Sequence, residues 1–390
     1  MIRLELDREK LQIYAKDPEE ITSLTKGCYG TLSKGVITLY PEEVLYLMDI
    51  RNGKCYDKNG NIFSFNDIAV LFTKFEKFFA RYMTYKDWRD RGLIARPAFE
   101  IDKKYGANVT KKYKYKEFTP DAYSITGVFF PDDLITTIDD EASGKELYER
   151  YWIGQFGTYK AYHRGKIGKL DIYETIFMLK HGGLSLRNSS LEEVFNVAED
   201  RIKYFSDLYS VYEDWRKSGY VVKSGFKFGT HFRIYVPGAS PILENNWIHS
   251  KHVIHVFSRK SKMLISEWAR AIRVAHSVKK TFILAIPGKE LSTKITAKNL
   301  NLDFLLYHRK KEGIITPKDG KPKYFMFSLS EDEYLSGEQL AKALRECKEF
   351  GIEMLMAIAD RESSVTYYTI KRISLPKSEY EYFEIEWEQP

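Results

Sequence analysis

Cysteine is scarce in this sequence, with Cys28, Cys55 and Cys347 far apart among 390 residues and without the close spacing of metal ligands. This scarcity argues against a disulfide framework and against a zinc site. Apolar runs are also short: none reaches the roughly 18 residues of a membrane span, and the N-terminus has no secretory segment. We therefore expect a cytoplasmic protein in a reducing compartment, without a membrane partner.

What the chain has in abundance is positive charge and aromatic residues. The formal net charge is +7, and there are 28 tyrosines and 24 phenylalanines. A basic balance suits a polyanionic partner, and aromatic rings beside lysine and arginine suit unpaired RNA, although most of these rings belong in cores. Because 44% of the residues are hydrophobic, the chain should fold throughout. Its length of 390 residues predicts two to four domains.

Internal repeats divide the chain into domains. Residues 82–99 return as residues 209–226 at an offset of 127, residues 29–48 resemble 156–179, and residues 257–288 resemble 327–360. These repeats predict four domains and a linker: an inert N-domain (1–92), a linker (93–119), a second N-domain (120–215), a catalytic domain (216–295) and an inert copy of the catalytic domain (296–390). We predict an α+β multidomain protein with small mixed α/β N-domains and C-terminal domains built on a mixed sheet flanked by helices.

Three side chains that can handle protons or charge stand among the strand and helix signals of residues 209–286. Tyr235 ends a predicted strand, His249 precedes the apolar run 253–257, and Lys280 ends a predicted helix just before the strand-like TFILAI. The end of one strand, the start of another and a helix–strand junction can converge at one edge of a sheet. The spacing therefore permits a shared site.

The surrounding motifs give these positions a family context. The segments SGYVVKSGFKFG, FRIY, HSKHVI and AHSVKK resemble the signature of archaeal-type tRNA-splicing endonucleases. The resemblance assigns that family's catalytic tyrosine, histidine and lysine to Tyr235, His249 and Lys280, with His252 and His255 as rivals for the histidine. It also implies a restriction-nuclease-like sheet in the catalytic domain, and the fused three-unit, homodimeric form of the enzyme.

The resemblance implies a reaction as well. Precursor tRNA would be cut at the two intron boundaries, in bulge–helix–bulge motifs, leaving a 2′,3′-cyclic phosphate and a 5′-hydroxyl without metal or other cofactor. Tyr235 would be the base, His249 the acid, and Lys280 the cation on the phosphate. Because a phenol is a weak base at neutral pH, we expect Arg233, Lys280 or Arg273 to lower the pKa of Tyr235.

Further residues are expected to contact RNA. Arg273 stands seven residues before Lys280, where family members carry an arginine that stacks on a bulge base; its partner in that stack stays open between Lys294 and Lys298. The second N-domain has a four-residue insertion relative to the first. Its basic loop carries Lys160, Arg164, Lys166 and Lys169. By the resemblance, this loop would touch RNA near the cut and broaden substrate choice.

The last domain is expected to keep the fold and to have lost the activity. At an offset of 72 its Ile352 falls on Lys280, and we expect no FRIY-like element there. The resemblance implies that an acidic turn of this domain, with Asp360 and Glu362, docks into a basic pocket of an active unit in a homodimer. The C-terminal tail could add a strand across the dimer seam.

Two alternatives remain open at this point. One is a non-catalytic tRNA-binding or scaffold subunit, which the presence of Tyr235, His249 and Lys280 argues against. The other is a metal-dependent nuclease, which needs an acidic residue followed by Glu-x-Lys on adjacent strands, and the catalytic domain has no such pattern. Activity in EDTA would separate these interpretations.

Overall fold

The computed structural model describes residues 2–106, 110–159, 161, 163–242, 249–288, 295–311 and 313–390. Lys160 and Lys294, two of the residues expected to contact RNA, lie outside these ranges. Within them, no helix is long and apolar enough to cross a membrane.

The N-terminal part is a mixed sheet with helices. Its strands are β1 (Ile2–Asp7), β2 (Gln12–Ala15), β3 (Thr31–Ser33), β4 (Val36–Leu39), β5 (Gly53–Tyr56) and β6 (Ile62–Phe63), in the order β3-β4-β2-β1-β5-β6. Its helices are α1 (Pro18–Lys26), α2 (Pro41–Ile50), α3 (Phe65–Ala69) and α4 (Phe78–Asp90). The side chain of Asp17 caps the N-terminus of α1 by accepting hydrogen bonds from two backbone N–H groups.

A second domain repeats this pattern. Its strands are β9 (Ile125–Phe130), β10 (Ile135–Ile138), β11 (Gln155–Phe156), β12 (Gly168–Leu170) and β13 (Leu184–Leu186), in the order β11-β12-β10-β9-β13. Its helices are α5 (Glu141–Tyr151), α6 (Ile172–His181), α7 (Leu191–Arg201) and α8 (Phe205–Lys217). Capping boxes begin α6 and α7, at Asp171 and Ser190.

Most of the remaining strands form one continuous mixed sheet in the order β14-β15-β16-β18-β26-β25-β24-β22-β19-β7, with β8 beside β25. The bounds are β7 (Ile94–Pro97), β8 (Lys111–Lys112), β14 (Val221–Ser224), β15 (Phe232–Tyr235), β16 (His252–Val256), β18 (Thr281–Ile286), β19 (Phe304–Tyr307), β22 (Tyr324–Ser330), β24 (Glu353–Ala359), β25 (Val365–Ser374) and β26 (Glu381–Glu388). Helices α9 (Ile265–Ser277) and α10 (Gly337–Phe350) cover one face. Two short ladders pair β17 (Lys262–Leu264) with β23 (Tyr334–Ser336) and β20 (Arg309–Lys310) with β21 (Gly313–Ile314). The predicted fold class is confirmed.

The large sheet consists of two matching halves. In the first half (β14, β15, β16, β18), Phe232 pairs with Ile254; in the second half (β7, β19, β22, β24), Phe304 pairs with Met326, each 72 residues later. The outer strands also match, because Val221 lies opposite Tyr235 and Ile94 lies opposite Tyr307. The second N-domain packs on the first half, and the first N-domain packs on the second half.

Three expectations change in the light of this architecture. The segment expected to be a linker (93–119) contributes β7 and β8 to the sheet. The expectation that the last domain has no FRIY-like element is wrong, because Phe304–Tyr307 forms β19 in the same register as Phe232–Tyr235. The C-terminal tail does not reach across a dimer seam; as β26 it pairs with β18 and β25 inside the chain and joins the two halves.

Candidate active site

Tyr235, His249 and Lys280 lie at one edge of the first half of the sheet. Tyr235 ends β15, His249 lies three residues before β16, and Lys280 directly precedes β18. Because β15 runs antiparallel to β16 and β16 runs parallel to β18, the end of β15 meets the starts of its neighbours. Backbone bonds fix this edge: Lys251 N donates to the carbonyl of residue 234 at 3.1 Å, and the N–H of residue 281 donates to the carbonyl of Lys251 at 3.1 Å.

Lys280 is fastened to the loop that carries the histidine. Its side chain is buried, and Nζ donates a hydrogen bond to the Ser250 carbonyl oxygen at 2.6 Å. The ammonium also lies 5.1 Å from the centre of the Phe228 ring. Burial, and then the positive charge of Arg233, lower the pKa of Lys280. The amine is thereby held against Ser250, the residue that follows His249, and the His249 side chain is exposed.

Tyr235 is almost enclosed, with 5% of its surface exposed. Its ring packs against Trp152 of the second N-domain, with the ring centres 4.6 Å apart, and against Val221 and Ala239. Burial raises the pKa of Tyr235, and the nearby Arg233 opposes this increase only in part. The expectation that neighbouring cations lower this pKa overall is therefore wrong for the free protein, and the phenol stays protonated at neutral pH.

The three candidate cations for Tyr235 have different positions. Arg233 shares the strand face of Tyr235, and its Nε donates to the Ser224 carbonyl oxygen at 2.6 Å. Its charge affects both Tyr235 and Lys280. Arg273 is exposed on α9, where its charge instead acts on Tyr368 of β25 and partly offsets the effect of burial on the pKa of that phenol.

The rival histidines are neutral and packed against rings. His252 lies against Tyr113 at 5.3 Å, and His255 lies against His231 at 4.6 Å between ring centres. Burial lowers the pKa of His252 to about 4 and that of His255 to about 3. A histidine that stays neutral at pH 7 is poorly suited to donate a proton, which argues against His252 and His255 as the acid.

The inserted loop of the second N-domain reaches the site through Tyr159. The charge of this residue contributes to raising the pKa of Tyr235, so its phenol lies within electrostatic range of Tyr235. The ammonium of Lys227, in the 3₁₀ turn Phe226–Phe228 before β15, lies 5.8 Å from the centre of the Tyr159 ring. The loop therefore borders the part of the site that contains Tyr235.

The described cations of this loop have different local contacts. Lys166 forms an ion pair with Glu141 at 3.1 Å, and Lys169 Nζ donates to the Gly157 carbonyl oxygen at 3.4 Å. Arg164 is exposed, and its carbonyl accepts a hydrogen bond from Thr158. All three cations remain on the surface.

In the acidic turn between β24 and β25, one of the two carboxylates accepts hydrogen bonds from within the turn. Asp360 Oδ1 accepts hydrogen bonds from the N–H groups of Glu362 and Ser364, at 2.9 and 2.8 Å. This closes the turn and leaves the Glu362 side chain exposed. In the described ranges, no group of three or more His, Cys, Asp or Glu side chains is arranged to hold a metal ion.

Comparison with known proteins gives consistent matches around these residues. Residues 205–296 match the family model described as tRNA intron endonuclease, catalytic C-terminal domain. The tRNA-splicing endonuclease of Thermococcus gammatolerans is 35% identical over 142 residues, which is 34% of this chain and 80% of that protein. The tRNA-splicing endonuclease of Methanopyrus kandleri is 36% identical over 147 residues, covering 36% of this chain and 74% of that protein. That of Hyperthermus butylicus is 40% identical over 125 residues, covering 31% and 66%.

Proposed function

Because this chain belongs to the archaeal-type tRNA-splicing endonucleases, a family of endoribonucleases, we propose that it cuts precursor tRNA at the two intron boundaries. The observation that carries this proposal is the shared sheet edge of Tyr235, His249 and Lys280, inside the segment matched to the family. Incubation with a bulge–helix–bulge RNA and mapping of the cut positions tests it. Cuts elsewhere, or none, would refute it.

The chemistry we propose is an in-line attack by the 2′-oxygen next to the scissile phosphate. Tyr235, as phenolate, removes the 2′-OH proton, and the new O–P bond displaces the 5′-oxygen. His249 gives that oxygen its proton, so the products carry a 2′,3′-cyclic phosphate and a 5′-hydroxyl. Lys280 stabilises the charge that builds on the non-bridging oxygens. Each role is filled by a side chain, so the proposal requires no metal ion.

We also propose that the second half of the sheet is inactive. At the same offset of 72, Tyr307 takes the place of Tyr235, Lys321 that of His249, and Ile352 that of Lys280. Ile352 is fully buried, and Lys321 donates to the Gly351 carbonyl. This half keeps a phenol but has neither an imidazole for the acid role nor a cation at the position of Lys280.

We propose RNA contacts at the basic loop and at Arg273. Arg273 is supported by its exposure on α9, two turns before Lys280. For the loop, the support is the proximity of Tyr159 to Tyr235. The roles of Lys160, Arg164, Lys166 and Lys169 remain part of this proposal, with Lys160 outside the described residues.

Replacing both Lys166 and Lys169 by alanine is expected to weaken RNA binding and to slow the cutting of non-standard bulges more than that of standard ones. Two phosphate contacts would be lost, so the slope of log affinity against log salt should fall by about 2. Lys34→Ala is the matched control, because Lys34 lies in the corresponding, uninserted turn of the first N-domain and is exposed. Unchanged cleavage of non-standard bulges in the double variant would defeat the loop's proposed role.

Two copies of the chain are expected to form the working enzyme, with the acidic turn of one docked on the active unit of the other. Light scattering should then give twice the 45.7 kDa of one chain. Glu362→Lys should shift the protein toward monomer and reduce cleavage, whereas Asp133→Lys, in an exposed turn of the second N-domain, should not. A wild-type monomer that cuts both boundaries would contradict this assembly.

A further inference from the structure

The aromatic ring that packs against Tyr235, the candidate base, comes from the second N-domain and not from the catalytic domain. Trp152 follows α5 in the second N-domain, and its ring lies 4.6 Å from that of Tyr235, tilted by 46°. Val221, opposite Tyr235 on β14, and Ala239 complete a small apolar cluster around the phenol. Trp152 is outside residues 205–296, the segment matched to the catalytic family model.

The backbone at Trp152 adopts a conformation that large side chains rarely take. Its φ of 49° and ψ of 43° lie in the left-handed region, which costs free energy in residues with a bulky Cβ substituent. Such strain persists only where the surroundings fix it. Cys28, which follows the matching helix α1 of the first N-domain, has the same left-handed backbone with φ of 57°, so the conformation belongs to the shared fold and the bulky ring is what distinguishes Trp152.

The chain just after Trp152 is fastened to the catalytic domain. Gly154 N donates to Glu174 Oε1 at 2.8 Å, and the Gly154 carbonyl oxygen accepts a hydrogen bond from Lys223 Nζ at 2.9 Å. Lys223 belongs to β14 and also forms an ion pair with Glu174 at 2.5 Å. This buried linkage fixes the distance between Trp152 and the strand next to Tyr235.

The second half of the sheet provides an internal comparison. Tyr307 occupies the place of Tyr235. Gly30 N donates to Glu43 and the Gly30 carbonyl accepts from Arg96, as Gly154 does with Glu174 and Lys223, so Cys28, two residues earlier, stands at the place of Trp152. The half that combines the phenol with His249 and Lys280 thus has the tryptophan, and the half that lacks those partners has a cysteine. The contact follows the candidate chemistry rather than the fold.

We propose that Trp152 is a positioning residue for Tyr235: it holds the phenol ring against β14 so that the hydroxyl faces the 2′-oxygen of the bound RNA. This inference rests on the proposed function. Trp152 does not touch the reacting atoms. Among the described residues, the groups whose charges act on the pKa of Tyr235 are Arg233 from its own strand and Tyr159 from the inserted loop.

Two substitutions of Trp152 separate positioning from folding. Trp152→Gly removes the ring but suits the left-handed backbone, so the domain should remain folded. Under single turnover it should cut RNA roughly 10- to 100-fold more slowly, since a displaced base loses its alignment with the reacting atoms. RNA affinity and melting temperature should stay close to wild type. Trp152→Phe keeps an aromatic contact and should recover most of the rate, and Trp387→Ala, at an exposed tryptophan of β26, should leave it unchanged.

A pH profile adds a readout that a purely structural role would not move. Without the tryptophan, Tyr235 becomes more exposed and its pKa falls back toward the value of a free phenol. In His249→Ala, the cleavage rate should rise with pH until Tyr235 is ionised. In the double variant His249→Ala/Trp152→Gly, this rise should therefore level off at a lower pH than in His249→Ala alone.

Three outcomes decide the inference. A Trp152→Gly variant that cuts at the wild-type rate would overturn it. So would a variant in which rate, RNA affinity and melting temperature all fall together and Trp152→Phe fails to recover the rate, because the ring would then serve only folding. Failure of the wild-type protein to cut a bulge–helix–bulge RNA would refute the proposed function, whatever Trp152 does.

Discussion

Replacing Tyr235 by phenylalanine is expected to slow RNA cleavage by about 10²–10⁴-fold, the usual contribution of a positioned base. The ring would still fill the space beside Trp152, so the melting temperature and RNA affinity should change little. Single-turnover cleavage of a bulge–helix–bulge RNA, measured with enzyme in excess, gives the rate constant directly. A variant that cuts within a few-fold of wild type would remove Tyr235 from the mechanism.

The repeat in the sheet supplies a matched control for this experiment. Tyr307 has the same register and the same 5% exposure as Tyr235, but its half of the sheet has Lys321 in place of His249 and Ile352 in place of Lys280. Tyr307→Phe should therefore retain the wild-type rate. If Tyr307→Phe lost activity as severely as Tyr235→Phe, the assignment of a single active half would fail.

The raised pKa of Tyr235 also predicts a form for the pH dependence. The proposed reaction needs a phenolate on Tyr235 and a proton on His249, so the wild-type profile combines two groups. In His249→Ala only the phenolate fraction matters, so the residual rate should rise by up to tenfold per pH unit until the raised pKa of Tyr235 is reached.

Replacing Lys280 by methionine is expected to reduce the cleavage rate by about 10²–10³-fold, as removal of a stabilising donor at developing charge does elsewhere. Methionine keeps the apolar stem beside Phe228 but removes the charge and the hydrogen bond to the Ser250 carbonyl. The loss should appear in kcat more than in KM, because the charge on the phosphate grows toward the transition state.

Lys321→Met is the control for the backbone hydrogen bond of Lys280. Lys321 also donates to a backbone carbonyl, that of Gly351, in the second half of the sheet. Because Lys321 is exposed and Lys280 is buried, Lys321→Met should lower the melting temperature less than Lys280→Met, and it should leave the rate constant unchanged. Equal losses of rate in the two variants would mean that Lys280 acts on stability and not on the reaction.

The repeats made much of the architecture predictable from the sequence, because local similarity at offsets of 127 and 72 reflects elements with the same register. Strand β7 was missed for a physical reason. Residues 94–97 end in a proline and follow a helix, so their sequence resembles a connector, and their partner Tyr307 is more than two hundred residues away. Strand β19 escaped notice because leucine replaces Arg233 at the second position of FRIY.

For the candidate site too, some features could be predicted from the sequence and others could not. Residue types and their order made Tyr235, His249 and Lys280 candidates, since a sheet edge gathers strand ends whatever lies between them in sequence. The family resemblance favoured His249 over His252 and His255. The contact with Trp152 and the direction of the pKa shift of Tyr235 depend on how the second N-domain packs on β15. That packing leaves no periodic signal in the sequence around residue 152. Burial, which dominates the pKa of Tyr235, becomes visible only in three dimensions.

The central claim is that a phenol, an imidazole and an amine cleave the phosphodiester by attack of its own 2′-oxygen. The most direct test is to incubate the protein with a bulge–helix–bulge RNA in EDTA and to identify the new ends. We expect full activity, a 2′,3′-cyclic phosphate on one fragment and a 5′-hydroxyl on the other. Loss of activity in EDTA, or fragments with a 3′-hydroxyl and a 5′-phosphate, would contradict the claim.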